Sequence, residues 1–266
     1  MITIPVDLES VLNVAWERTR PTPGYLLENE ARFLGLLAAC TPAKGTIVEI
    51  GSFKGRSTVM LASVAMRYGL GSVVSIDPHN FNLTADNKAD ATQEGSTYDE
   101  FLKSLETAGV KEHVEIHHAF SKHVSTTWDR PIRLLWIDGD HSYQGVKDDF
   151  DGFAKFLSPG GVVAMHDSLN AFAGPIHIFA ERVLRSSKFG PAGFVHSIAW
   201  SQYRPEDGQR FDAGRRELYR RAVKLLPYVE EGKPLEGWRK LQYKFYRSRV
   251  PRAVISAEAW ATRLEA

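Results

Sequence analysis

The chain has 266 residues, 43% hydrophobic and 24% charged, with 33 Lys+Arg against 32 Asp+Glu and a single cysteine. Such a composition describes a folded globular protein large enough to bury a core without staples, and the lone Cys40 excludes an internal disulfide and a cysteine-built metal centre. No apolar run approaches the ~20 residues of a membrane-spanning helix, and the opening MITIPVDLESVLNVAW carries acids where a secretion signal carries Lys or Arg, so the expected location is cytoplasmic.

In chain order, Leu27, Ala31, Leu34 and Ala38 line one helix face within an expected N-terminal helical cap, residues 1–45. From residue 46 to 165 short apolar runs alternate with amphipathic stretches, the pattern of a parallel sheet covered by helices. The expected strands are Thr46–Ile50, Ser72–Ile76, His113–His117, Arg133–Ile137 and Gly161–Met165. Tyr98, Phe101, Leu102 and Leu105 share one helix face; Val146, Phe150, Phe153, Ala154 and Leu157 share another, which stops at Ser158-Pro159-Gly160-Gly161. Five such repeats with right-handed crossovers make a doubly wound, Rossmann-like α/β fold. Gly174–Ser187 reads as a helix, and Phe194–Tyr203 as one or two further strands with no turn signal sharp enough to divide it. Residues 46–203 are thus the expected main domain. Residues 204–266 are expected to be a helical extension broken at Pro227, Pro234 and Pro251, with 15 Lys+Arg against 9 Asp+Glu. The polar connection Pro78–Gly95 is long enough to be expected to be functional or mobile.

The segment Ile47-Val-Glu-Ile-Gly-Ser-Phe-Lys-Gly-Arg-Ser57 runs from a buried strand into a helix. Gly51 and Gly55 permit a sharp turn and close approach of a ligand, at the carboxyl end of a strand where open α/β sheets bind them. Two glycines with three residues between them are not the dinucleotide fingerprint, which disfavours a dinucleotide. The next strand ends in Asp77, 26 residues after Gly51, where a carboxylate can accept both hydroxyls of a ribose; alone it would equally be a cap before Pro78. Together they describe a nucleoside pocket.

Two further strand tips carry polar groups. Asp138-Gly-Asp-His141 follows Leu134-Leu-Trp-Ile137, and His166-Asp167 follows the next apolar run, so both sets converge on one crevice. Asp138, His166 and Asp167 offer a divalent cation two carboxylates and an imidazole, a set that suits Mg²⁺, with Mn²⁺ a better match to the imidazole.

VEIGSFKGRS, VVSIDPH, HHAFS, LLWIDGDHSY and LSPGGVVAMHDS, in that order over about residues 25–203, resemble the class I S-adenosylmethionine-dependent methyltransferases. The resemblance implies a seven-stranded sheet with a reversed last strand. It also implies that Glu49, Gly51, Ser52, Gly55 and Ser57 surround the methionine part of S-adenosyl-L-methionine, that Asp77 holds the ribose, and that Ala119, Phe120 and Ser121 approach the adenine. Within that class the pattern is most similar to the metal-dependent sugar and macrolide O-methyltransferases and their cephalosporin hydroxylase-like relatives. There Asp138 falls on a metal-binding acid, His141 on the catalytic base, and His166-Asp167 on an acidic pair. His166 departs from the pattern, which has a carboxylate at that position.

The expected function is therefore metal-assisted O-methylation of a sugar, saccharide or other polyhydroxylated metabolite, by an expected homo-oligomer whose exposed terminal helices need cover. A second reading is an RNA methyltransferase, drawn from the basic tail and its Trp238, Tyr243, Phe245, Tyr246 and Trp260. Packing of those aromatics on the main domain or a second subunit is the favoured account, and nucleic acid is not the expected acceptor. A third is a non-catalytic binder of the same cofactor.

Overall fold

The computed structural model describes residues 3–80, 96–230 and 232–265. Two helices, α1 (Leu8–Thr19) and α2 (Glu28–Cys40), precede the sheet. Strands β1 (Thr46–Ile50), β2 (Val73–Ile76), β3 (Val114–His117), β4 (Ile132–Ile137), β5 (Leu157–Met165), β6 (Phe189–Val195) and β7 (Ile198–Tyr203) form one sheet in the order β3-β2-β1-β4-β5-β7-β6. The first five are parallel, and β7 runs antiparallel to both neighbours. Between them lie α3 (Arg56–Tyr68), α4 (Tyr98–Thr107), the single turn α5 (Ser121–Val124), α6 (Tyr143–Phe153) and α7 (Ala173–Ile178). Then follow α8 (Asp212–Ala222), α9 (Gly237–Arg247) and α10 (Ala257–Glu265).

Strands buried on both faces need near-continuous apolar sequence, and their two-residue period sends alternate side chains to opposite layers. Ile47, Leu134, Trp136, Val162 and Trp200 join one core with α1, α2, α3 and α10. Val48, Ile50, Leu135, Ile137, Val163 and Met165 join the other with α6, α7, α8 and α9. The chain reverses its direction of winding between β1 and β4, and their carboxyl ends splay a crevice there.

Two expectations are corrected and a third is refined. The tract Phe194–Tyr203, read as one or two strands, holds the end of β6 and all of β7, a hairpin that begins at Phe189 and turns at His196, whose φ of 50° is left-handed; only a polar residue at an otherwise β-rich junction marks that turn. Strand β5 starts at Leu157, so Ser158-Pro159-Gly160-Gly161 lies inside a strand, with Leu157 pairing Ile132 across a bulge. The helix expected to Ser187 is α-helical only to Ile178 and widens into a π-helical turn, Phe179–Leu184. Of the connection at 78–95, only Pro78–Asn80 falls among the described residues, with Asn80 bridging Ser96.

The basic extension is largely structural. Arg215 is buried and donates to the carbonyls of Gly208 (2.8 Å), Gly190 (3.2 Å) and Phe189, closing the end of β6. Trp260 packs on Trp200 with ring centres 4.6 Å apart and donates to Cys40 O at 3.3 Å. Tyr243 and Trp260 are thus core residues, whereas Trp238 and Phe245 are exposed.

Candidate active site

The glycine loop is set by backbone contacts that a side chain would block. Gly51 N donates to Ile76 O at 2.9 Å, and Gly51 has φ of 85°; a Cβ there would stand 2.3 Å from Asp138 O. Gly51 therefore lets the tips of β1 and β4 touch, and a cavity of about 430 Å³ opens above them. Its wall includes Gly51, Ser52, Ser57, Asp77, Phe120, Ser121, Asp138, His141, His166 and Asp167.

Three expected site residues do not line it. Glu49 is fully buried beneath the loop, its Oε2 accepting from Thr58 Oγ1 at 2.5 Å while Oε1 has no partner. Burial pushes its carboxyl up to about 7 despite bonds from Ser57 and Thr58. Gly55 (φ 93°) caps α3 against Phe101, and Ala119 spends its N–H on His117 O. Asp77 lines the cavity, but its carboxylate also ties the loop: Oδ2 accepts from Ser52 N (2.7 Å) and Phe53 N (2.8 Å), and Oδ1 from His79 N (2.6 Å).

At the other wall Asp138, His141 and Asp167 each turn one atom inward, all within 4.8 Å of one another. His141 Nε2 lies 3.4 Å from Asp167 Oδ2 and 3.7 Å from Asp138 Oδ1 and makes no hydrogen bond, although it is buried. A buried nitrogen facing two carboxylates at these separations fits a shared cation, so the donor set present suits the group that the sequence implies. Burial would lower the His141 pKa, but the carboxylates of Asp138 and Asp167 beside it outweigh that and hold it above the ordinary value. Its ring stacks on Phe172, with centres 4.3 Å apart and planes 21° apart. Ser142, not His141, caps α6, its Oγ accepting from Gly145 N at 3.0 Å. Asp140 braces the same loop by accepting from Ser142 N and Oγ, each at 2.9 Å. Asp167 itself adopts a left-handed φ of 53°, which an aspartate tolerates, and its Oδ1 accepts from Asn170 at 2.5 Å while Oδ2 faces His141.

His166 adjoins this trio, its Nδ1 3.5 Å from Asp167 Oδ2. Its Nδ1 meets Asp138 Oδ1 at 3.0 Å and its Nε2 meets Glu30 Oε2 at 3.3 Å. A carboxylate thus stands at each ring nitrogen. Burial opposes a charge on the ring, yet Asp138 and Glu30 raise the pKa well above normal. The imidazole whose nitrogen groups with one oxygen each of Asp138 and Asp167 is that of His141, while His166 bridges Asp138 to Glu30.

Two acids escaped the sequence reading. Glu30, on α2, is buried; burial raises its pKa, but His166 and Ser197 bring it down to about 2, and its Oε1 accepts from Ser197 Oγ at 2.5 Å. Asp149, on the inner face of α6, lines the cavity, accepts from Ser121 Oγ, and is pushed by burial to about 7. An acid at an apolar helix position, three residues after Val146, was the only available signal for Asp149.

Residues 48–168 match the family model described as a methyltransferase domain. A protein of Acanthamoeba polyphaga mimivirus is 27% identical over 122 residues, covering 46% of this chain and 51% of its own, so the chain spans about half the length of the curated relative it matches. Among solved structures, the O-methyltransferase NovP is similar at 12% identity, covering 74% of this chain and 98% of its own with a TM-score of 0.56. TomG from Streptomyces achromogenes, an O-methyltransferase involved in tomaymycin synthesis and solved with SAM, is 20% identical over 77% and 92% of the two chains with a TM-score of 0.52. CalS11, a calicheamicin methyltransferase, is 15% identical over 76% and 94% with a TM-score of 0.51. The common feature is the class I methyltransferase fold, a seven-stranded sheet whose last strand is reversed.

Proposed function

We propose that this chain, whose residues 48–168 are a methyltransferase domain, moves the methyl group of S-adenosylmethionine to a hydroxyl of a sugar or another polyhydroxylated small molecule, with help from a divalent cation. The observation that carries this reading is the meeting of Asp138, His141 and Asp167 in the wall of the cavity above the Gly51 turn. Gly51, Ser52 and Ser57 face the methionine part, Asp77 the ribose, and Phe120 and Ser121 the adenine, with Asp149 added on that side. Glu49 acts from beneath, through the loop it holds.

Asp138 and Asp167 hold the cation, Mg²⁺ or Mn²⁺, and His141 is the base. The bound cation would lower the pKa of the acceptor hydroxyl, and the sulfonium would present an electrophilic methyl. His141 Nε2, which faces Asp138 and Asp167, would accept the proton leaving the hydroxyl. Phe172 keeps that ring in one plane, and the His166 imidazolium keeps Asp138 in one orientation. The acceptor oxygen bonds to the methyl carbon as the sulfur–carbon bond breaks, giving a methyl ether, S-adenosylhomocysteine and a proton on His141. Tyr25, exposed at the cavity rim and stacked near Phe53, offers a flat face to a sugar ring, with Asn80, Gln144 and Asp148 as polar neighbours.

In the same reading residues 46–203 bind the cofactor, residues 1–45 cap the rim through Gly24–Leu26, and residues 204–266 are an extension. The chain acts in the cytoplasm as a homo-oligomer through its N-terminal helices, where Val14 and Leu27 are exposed. No helix among the described residues is long and apolar enough to cross a membrane.

Calorimetric titration with Mn²⁺ and with S-adenosylhomocysteine, beside tritium transfer to a panel of sugars, tests the assignment. Asp138→Asn and Asp167→Asn should weaken Mn²⁺ binding about tenfold or more while keeping the nucleoside. His141→Ala should keep both ligands and lose transfer. Equal loss of Mn²⁺ binding in His141→Ala would make it a ligand instead of the base, and undiminished transfer after metal removal would discard the cation.

A further inference from the structure

Helix α9 presents two faces of different character. Inward, Tyr243 is buried, and its hydroxyl donates to Leu169 O at 2.8 Å and accepts from Ala171 N at 2.9 Å. Outward, Trp238, Leu241 and Phe245 recur at helical spacing and are 72%, 58% and 51% exposed. The helix thus already has its core contact, and the outer stripe is additional. Lys244 flanks the stripe by helical position, and Arg249 lies beside its end, its guanidinium 3.3 Å from the centre of the Phe245 ring. From Gly237 to Arg252 the sequence holds six Lys/Arg and no Asp or Glu.

We propose that α9 docks on the anionic surface of a phospholipid bilayer, with Trp238, Leu241 and Phe245 entering the headgroup boundary and the flanking cations meeting the lipid phosphates. An apolar stripe rimmed by Lys and Arg is the build of a helix that lies in the interface plane, and tryptophan is favoured at that depth. Charge complementarity selects this occupant over a second copy, since a two-fold pairing of α9 with itself would set the same cations against one another with no acid on the helix to answer them. The docked face is joined to the cavity wall: Arg247 donates to Asn170 Oδ1 at 3.1 Å, and Asn170 donates to Asp167 Oδ1 at 2.5 Å. Binding at α9 therefore fixes the orientation of the cavity relative to the lipid.

Flotation of the full chain with vesicles of phosphatidylcholine, with and without phosphatidylglycerol, tests this at low and high salt. Binding is expected only to the anionic vesicles, weakened by salt, and lowered about tenfold or more by Trp238→Ser with Phe245→Ser. Quenching of fluorescence by brominated lipid, lost in Trp238→Phe, gives a readout that does not depend on the double variant folding. Absence of binding, equal binding to uncharged vesicles, or a dimer in sedimentation that the double variant dissolves would each overturn the proposal.

Discussion

Glu30 and His166, 136 positions apart, meet at 3.3 Å and are both buried, which ties the helix ahead of the sheet to the tip of its fifth strand. The pair keeps His166 charged beneath Asp138, and so it orients a candidate cation-binding carboxylate from behind.

Glu30→Gln removes one of the two carboxylates that compensate a buried imidazolium. Breaking such a pair typically costs about 3 kcal/mol, and urea unfolding near neutral pH should register a loss of that order. The Glu30 carboxyl sits at about 2 against an ordinary 4.5, so its contribution is present above about pH 4.5 and is lost as pH falls through about 2. The acid limb of the stability profile should therefore be shallower in the variant. A change below about 0.5 kcal/mol would show that the pair is not a stabilising contact.

Glu49 has the opposite sign. Its pKa is raised to about 7, so the folded chain keeps a proton that the unfolded chain has released, and stability falls as pH climbs from about 4.5 to 7. Glu49→Gln lacks that penalty. Its melting temperature relative to the parent should rise between about pH 5 and pH 8, measured without cofactor. A constant offset across that range would mean that the carboxyl ionises in both states alike.

Gly51→Ala forces a methyl toward Asp138 O and puts a side chain at a φ of 85°. The left-handed strain alone is of order 1–3 kcal/mol, and the β1 and β4 tips must part. S-adenosylhomocysteine affinity should fall about tenfold or more, whereas Gly69→Ala, also at positive φ but with open space beside it, should spare affinity. Equal affinities would refute the close approach as the basis of the pocket.

Asp149 faces the side assigned to the adenine, with Ser121 on one of its oxygens. If it accepts from an exocyclic amine, the parent should bind S-adenosylhomocysteine more tightly than the hypoxanthine analogue, which lacks that donor. Asp149→Ala should erase most of the preference, a difference of about 1–3 kcal/mol. Retained discrimination in the variant would assign adenine recognition elsewhere.

The residues of this chain determined much by themselves. Buried parallel strands need unbroken runs such as Leu134–Ile137, and helices need faces such as Phe101 with Leu105, so the α/β class, the five parallel strands and the meeting of Gly51, Asp77, Asp138 and Asp167 in one crevice were readable from short-range pattern. The hairpin turn at His196 was not, because its left-handed backbone is held by the pairing of β6 with β7 and not by a turn-forming residue. Nor was the pairing of His166 with Glu30, which the packing of α2 over the sheet carries to its second ring nitrogen. A buried charge finds its partner in space and not along the chain, so no local spacing encodes it.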